Sequence, residues 1–197
     1  MTLMSLTLLF ICSLNFSVII STSVKAFNAV QSGNCNDLEK LLKSHSSSEI
    51  SKFINTRHQG SGQTPLMMSV LMGKTDCVRI LLSYPEVDVT VPEKDGYTPM
   101  HGAGFQGRAE ILKLLIADSR KIDANDRHSD GYNAIHRACW GRDAKHTETV
   151  KTFIEVGGVK FDQENAQGVT CLEMTQNDKT KKYLKKLIKK QKNKEEL

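Results

Sequence analysis

Apolar residues come along this chain in short bursts of helical spacing, and the bursts come in pairs. The first member of each pair opens on a glycine and a small polar residue. It reads Gly62-Gln-Thr-Pro-Leu-Met-Met-Ser-Val-Leu-Met-Gly73, then Gly96-Tyr-Thr-Pro-Met-His-Gly-Ala-Gly-Phe-Gln-Gly107, then Gly131-Tyr-Asn-Ala-Ile-His-Arg-Ala-Cys-Trp-Gly141, with a degenerate fourth copy, Gly168-Val-Thr-Cys-Leu-Glu-Met174. The second member is a short amphipathic stretch: Cys77–Leu82, Ile111–Ile116 and Val150–Ile154. The opening glycines stand 34, 35 and 37 residues apart. A period of that length predicts a stack of two-helix units, none able to bury its apolar face alone. Thr64, Thr98, Asn133 and Thr170 fall where a short side chain caps a first helix. Pro65 and Pro99 fall in its first turn, where the missing N–H is not needed, and Gly73 and Gly107 fall where it must end.

These motifs resemble the ankyrin repeat, a β-turn followed by two antiparallel helices, over residues 27 to 190. The resemblance implies an all-α ankyrin-repeat solenoid of about five helix-turn-helix units. Their bounds are 27–61 (a cap, with Ala29, Gly33, Leu38, Leu41 and Leu42 in register), 62–95, 96–130, 131–167 and 168–190 (a closing cap), followed by a flexible tail over 191–197. Met67 stands where the family has His, and Cys171 where it has Pro. Ser46-Ser-Ser-Glu49 reads as a capping box for an extra short helix. The stretch from Ala138 to Val150 is longer than its counterpart, so Arg142–Thr147 is expected to bulge as a loop.

The family likeness also assigns roles. His101 and His136, with Thr98 and Pro99, take the place of the structural turn residues, the histidines as buried imidazoles. Partners of such proteins are held by the residue before the Thr-Pro pair and by the two residues before the helix-ending glycine. Here those positions, Gln63 aside, give Leu71, Met72, Tyr97, Phe105, Gln106, Tyr132 and Trp140 as candidate binding residues. Aromatic side chains are the usual anchors of interfaces.

Residues 1–26 stand apart from the repeats. The apolar run Leu6–Ile20, with Val24 and Ala26 at positions that suit a signal peptidase, reads as a signal peptide removed after Ala26. A retained signal anchor is the competing reading; otherwise the mature chain is expected to hold no integral membrane segment. The chain ends Lys194-Glu195-Glu196-Leu197, similar to the Lys-Asp-Glu-Leu (KDEL) signal that a recycling receptor reads. Together the two features give the endoplasmic reticulum lumen as the expected location. Secretion, or a cytosolic or nuclear site with the leader unused, are the alternatives.

Charge changes this picture little. The net charge is +5, but nine of the 27 Lys and Arg lie between Lys179 and Lys194. Residues 1–178 hold the other 18 against 20 acidic residues, net −2. The lysines surround a stripe of Tyr183, Leu184, Leu187 and Ile188, as expected of a closing helix; an anionic surface or acidic partner is the sharper reading. No nucleic-acid partner is expected.

Cys35, Cys77, Cys139 and Cys171 lie outside the leader, without a Cys-x-x-Cys and at offset repeat positions. With stacked helices 8–10 Å apart, four mostly buried thiols are expected, Cys139–Cys171 being the pair best placed to bridge. Neither metal-ligand spacing nor a catalytic constellation stands out, so no cofactor, no metal and no catalytic residue is expected. The reading is a non-enzymatic adaptor that grips a polypeptide in the concave groove; a thiol-dependent lumenal folding factor is the alternative.

Overall fold

The structure, a computed structural model, describes residues 3–120 and 122–195, with side chains over 17–120 and 122–194. Among the described residues eleven helices follow one another: α1 (Leu3–Ser32), α2 (Cys35–Lys43), α3 (Ser47–Phe53), α4 (Pro65–Met72), α5 (Thr75–Leu82), α6 (Pro99–Gln106), α7 (Ala109–Ala117), α8 (Ala134–Cys139), α9 (Ala144–Glu155), α10 (Cys171–Met174) and α11 (Asp178–Glu195). Among the described residues β-structure is limited to two isolated bridges, Arg127 with Asn133 and Glu164 with Thr170, in the turns that precede α8 and α10. The first helices α1, α4, α6, α8 and α10 pack in series, and so do the second helices α2, α5, α7, α9. The result is an all-α repeat solenoid of five units.

The local chemistry behaves as the sequence predicts. Thr64 Oγ1 accepts a hydrogen bond from Met67 N (3.2 Å) at the start of α4, with Pro65 in the first turn. Gly73 and Gly107 close α4 and α6 in the left-handed conformation. Ser46 and Glu49 form the capping box of α3, Glu49 Oε2 accepting from Ser46 N (2.8 Å). The period-marking glycine has a steric reason as well: at Gly62, φ +67°, a Cβ would lie 2.7 Å from the backbone nitrogen of Lys94 in the next unit.

One continuous core runs through the stack, from Ala26, Val30 and Leu38 to Phe153 and Leu184. Gly104 in α6 lets two first helices meet backbone to backbone, since a Cβ there would collide with the carbonyl oxygen of Ala134 in α8. Guanidinium groups of one unit satisfy carbonyls of the unit before. Arg108 donates to Leu71 O (3.1 Å). Arg120, held by Asp118, donates to Leu82 O, Tyr84 O and Val87 O at 2.8–3.1 Å, closing the C-terminal end of α5.

Several expectations need correction. Arg142–Thr147 is not a bulging loop: the extra residues lengthen α9, which begins at Ala144 and runs for 12 residues where α5 has 8. Asp143 takes the N-cap position, and His146 is buried against Gly141 with Nε2 3.2 Å from Phe105 O, so the insertion has a packing surface and folds as a helical turn. The tail is also helical as far as Glu195, because Lys, Gln and Glu are good helix formers. The four thiols are two disulfides, Cys35–Cys77 and Cys139–Cys171, with Cα separations of 4.9 and 5.6 Å. Neighbouring helices approach more closely at these ends than a mean interaxial distance suggests, inside the range a disulfide spans.

At the amino end, α1 crosses residue 26 without a break, there being no Gly or Pro in Ser21–Ala26 to stop it. Thr22, Ser23 and Ala26 are buried, and Ile19 packs on the core. The side chains of Leu6–Phe16, Cys12 among them, lie outside the described residues, as do Glu196 and Leu197 and the side chain of Glu195. Lys194 is exposed on the last turn of α11. Among the described residues no helix is long and apolar enough to cross a membrane.

Candidate functional site

A cleft of about 330 Å³ opens between α4, α6 and α8. Its apolar walls are Met67 and Leu71 from α4, Phe105 from the end of α6, Tyr97 from the preceding turn, and Trp140 from the C-cap of α8. Gly102 gives the floor its depth; a Cβ there would stand 3.1 Å from Met67 Cε and 3.2 Å from Leu71 Cδ2. Phe105 and Trp140 are 55% and 42% exposed, large apolar surface left to solvent at the mouth. Glu93 and Asp95 form the acidic edge, and His101 and Arg137 the back.

Arg137 is the organising residue, and it is almost wholly buried. Its guanidinium carbon lies 4.5 Å from the ring centre of Trp140, 4.8 Å from Tyr97 and 5.0 Å from Tyr132, a cation held by three aromatic faces. The same group donates to Asp130 Oδ2 and to the Tyr97 hydroxyl (3.3 Å), while Tyr97 OH donates to Asp130 (3.2 Å). Burial pushes the Asp130 carboxyl up, but hydrogen bonds from Arg137, His128 and the Tyr132 backbone outweigh it and hold the group far below the usual carboxylate range. Burial also raises the Tyr97 phenol. His128 stacks on Tyr97 at 3.9 Å and donates from Nε2 to Asp95 O (2.7 Å), so the turn before α8 is tied to the turn before α6.

The two turn histidines are buried and differently used. At His136, Nδ1 accepts from Asn133 N (3.2 Å) and Nε2 donates to Gln163 O (3.0 Å), linking α8 to the next turn. At His101, Nδ1 meets the Thr98 hydroxyl (2.9 Å), which donates to Asp126 Oδ2 (2.9 Å). Thr98 therefore spends its hydroxyl on this relay, and Pro99 begins α6 behind it. Burial lowers the pKa of both imidazoles, opposed by Asp126 at His101 and by the Gln163 carbonyl at His136.

Of the sequence-derived candidates, Leu71, Tyr97, Phe105 and Trp140 meet in the cleft. Tyr132 stands behind it, 5.0 Å from Trp140. Met72, 41% exposed, and Gln106, half-buried, lie outside the lining. Arg137, Asp130, His128, Glu93 and Asp95 were not among the candidates. A signal for one existed: Arg137 on α8 and Trp140 at its C-cap are three apart, hence on one face, and Arg137 occupies the position that holds Gly102 in the unit before. Among the described residues no group of three or more His, Cys, Asp and Glu could hold a metal ion.

Comparison with known proteins agrees with this architecture. The family model described as "Ankyrin repeats (3 copies)" matches residues 26–128. The human Notch-regulated ankyrin repeat-containing protein is 31% identical over 93 residues, 47% of this chain and 77% of that protein. A probable serine/threonine-protein kinase of Dictyostelium discoideum is 29% identical over 143 residues, 71% of this chain and 17% of the kinase. The mouse B-cell lymphoma 3 protein homolog is 29% identical over 125 residues, 62% of this chain and 28% of the homolog. The chain thus spans well under a third of the length of the last two. With the family model covering more than half of the sequence, and turn, first helix and second helix recurring in the structure, the chain belongs to the ankyrin-repeat family.

Proposed function

We propose that this protein is a non-enzymatic scaffold that grips a polypeptide partner in the concave cleft of α4, α6 and α8, and that it works in the lumen of the endoplasmic reticulum. The observation that carries the binding role is the pair of half-exposed aromatics, Phe105 and Trp140, at the mouth of an apolar cleft whose walls are fixed by Arg137. Large aromatics on a rigid support are the residues from which interfaces draw most of their energy. Kinase activity is not carried over from a relative of which this chain spans 17%.

The location rests on the leader and on Lys194–Leu197, with recycling by a KDEL-type receptor. Two disulfides favour the same location, since such bonds persist in oxidising compartments. They weigh against a thiol-exchange role: Cys77, Cys139 and Cys171 are buried, and reactive cysteines need exposure. The test of binding is co-purification of partners with the intact chain and with Trp140→Ala; partners retained equally by a folded Trp140→Ala would refute the groove. The test of location is microscopy of the chain with and without its last four residues, together with amino-terminal sequencing of the cellular protein. Unchanged retention without the tetrapeptide would refute receptor recycling, and a sequence beginning at Met1 would refute cleavage.

A further inference from the structure

From the charges around the cleft, we infer that its occupant is a basic-apolar peptide segment: a large apolar side chain with Lys or Arg within two residues of it. This rests on the reading of the cleft as a polypeptide-binding site and adds the chemistry of the partner. The cleft and the layer directly behind it hold four carboxylates, Glu93, Asp95, Asp126 and Asp130, against one guanidinium, Arg137. That guanidinium is already consumed, paired with Asp130 and enclosed by three rings, so it offers no charge to a ligand.

The other carboxylates divide by what they already do. Asp126 accepts from Thr98 and faces His101. Glu93 Oε1 accepts from the backbone nitrogens of Asp95 (3.0 Å) and Tyr97 (3.4 Å), which fixes it at the edge without a cationic partner among the described residues. Asp95 is exposed, lines the cleft, and among the described residues its carboxylate forms no hydrogen bond or ion pair. Lys94, between them, lies outside the lining. An apolar pocket edged by carboxylates left without a cationic partner attracts a side chain that is apolar where it enters and positive just outside, and repels an acidic segment. The volume, about 330 Å³, suits inserted side chains rather than a folded surface.

The experiment is selection of a random dodecapeptide library, displayed on phage, against the purified, oxidised full chain, followed by fluorescence polarisation of the enriched peptides on wild type, Asp95→Lys and Trp140→Ala. Expected are peptides pairing Leu, Met or an aromatic residue with a neighbouring Lys or Arg. Asp95→Lys should weaken them roughly tenfold, because like charge then faces like charge, and added salt should narrow the difference. Trp140→Ala should weaken them roughly thirtyfold. The Asp95 carboxylate forms no hydrogen bond or ion pair among the described residues, so the charge reversal is expected to leave the fold intact, which circular dichroism checks. Peptides that lose binding with Trp140→Ala yet bind Asp95→Lys as well as wild type, or that are acidic or uncharged, overturn the basic-partner inference and leave the groove standing. Peptides indifferent to both changes, or no enrichment at all, overturn the groove reading itself.

Discussion

The junction between the first and second units and that between the fourth and fifth each carry a disulfide, Cys35–Cys77 and Cys139–Cys171. The junctions between carry guanidinium bridges and aromatic stacking: Arg108 and Arg120 reach back to carbonyls of the second unit, and Arg137 joins the third to the fourth. The difference follows from position in a one-dimensional stack. An inner unit is stabilised across two interfaces and an outer unit across one, so the ends open first unless something compensates. Covalent bonds do so here, and the middle leaves Phe105 and Trp140 in solvent, where the proposed binding role needs them.

The largest expected effects come from cutting the ends. Cys35→Ser and Cys139→Ser should each lower stability by about 4 kcal/mol on loop-closure grounds, read as a shift of the urea midpoint, and hydrogen exchange should rise first in the unit beyond the cut. Equal protection across all five units after either change would dissolve the contrast between ends and middle. Next comes Arg137→Met, which removes the charge from between three rings and leaves Asp130 without its main donor. A loss of roughly 3 kcal/mol is expected, with binding lost in the fraction that stays folded.

Third is the buried imidazole. His136→Ala should cost about 2 kcal/mol, because Asn133 N and Gln163 O lose their partner. The pH dependence follows from the same burial. His136 stays neutral in the native state below its ordinary value near 6.5, whereas the unfolded chain takes up a proton there. Its contribution is therefore complete above about pH 6.5 and is lost as the pH falls below it, and His101 acts in the same sense. Wild type should lose stability between pH 7 and 5, and His136→Ala should lose less over that interval; identical slopes would show that the imidazole does not titrate across unfolding. Smallest in stability is Trp140→Ala, expected within about 1 kcal/mol for a half-exposed side chain, although its effect on binding should be about 2 kcal/mol.

The backbone plan was legible because its signals are local. Thr64, Pro65 and Gly73 fix where α4 starts and stops whatever surrounds them, and Ser46 with Glu49 declares α3. What escaped depends on register between units. The pairing of Cys35 with Cys77 needs the relative slide of α2 and α5, which repeat positions alone do not give. The extra turn of α9 exists because His146 finds Gly141 and the Phe105 carbonyl waiting. The cleft was half visible: its aromatic members follow the repeat, and Asp130 repeats Asp95, but Asp130 gains its role only through Arg137, which stands where the unit before has Gly102.

Gly104 has a consequence for how a partner is received. Backbone contact between α6 and α8 leaves no layer of side chains there to rearrange, so the curvature of the groove is set before anything enters it. For the peptide occupant proposed above, the ordering entropy of complex formation then falls on the peptide, and stiffening it should raise affinity more than enlarging its contact area. The solenoid acts as a preset template, with its tolerance for differently shaped partners limited at the point where two helices touch through a hydrogen atom.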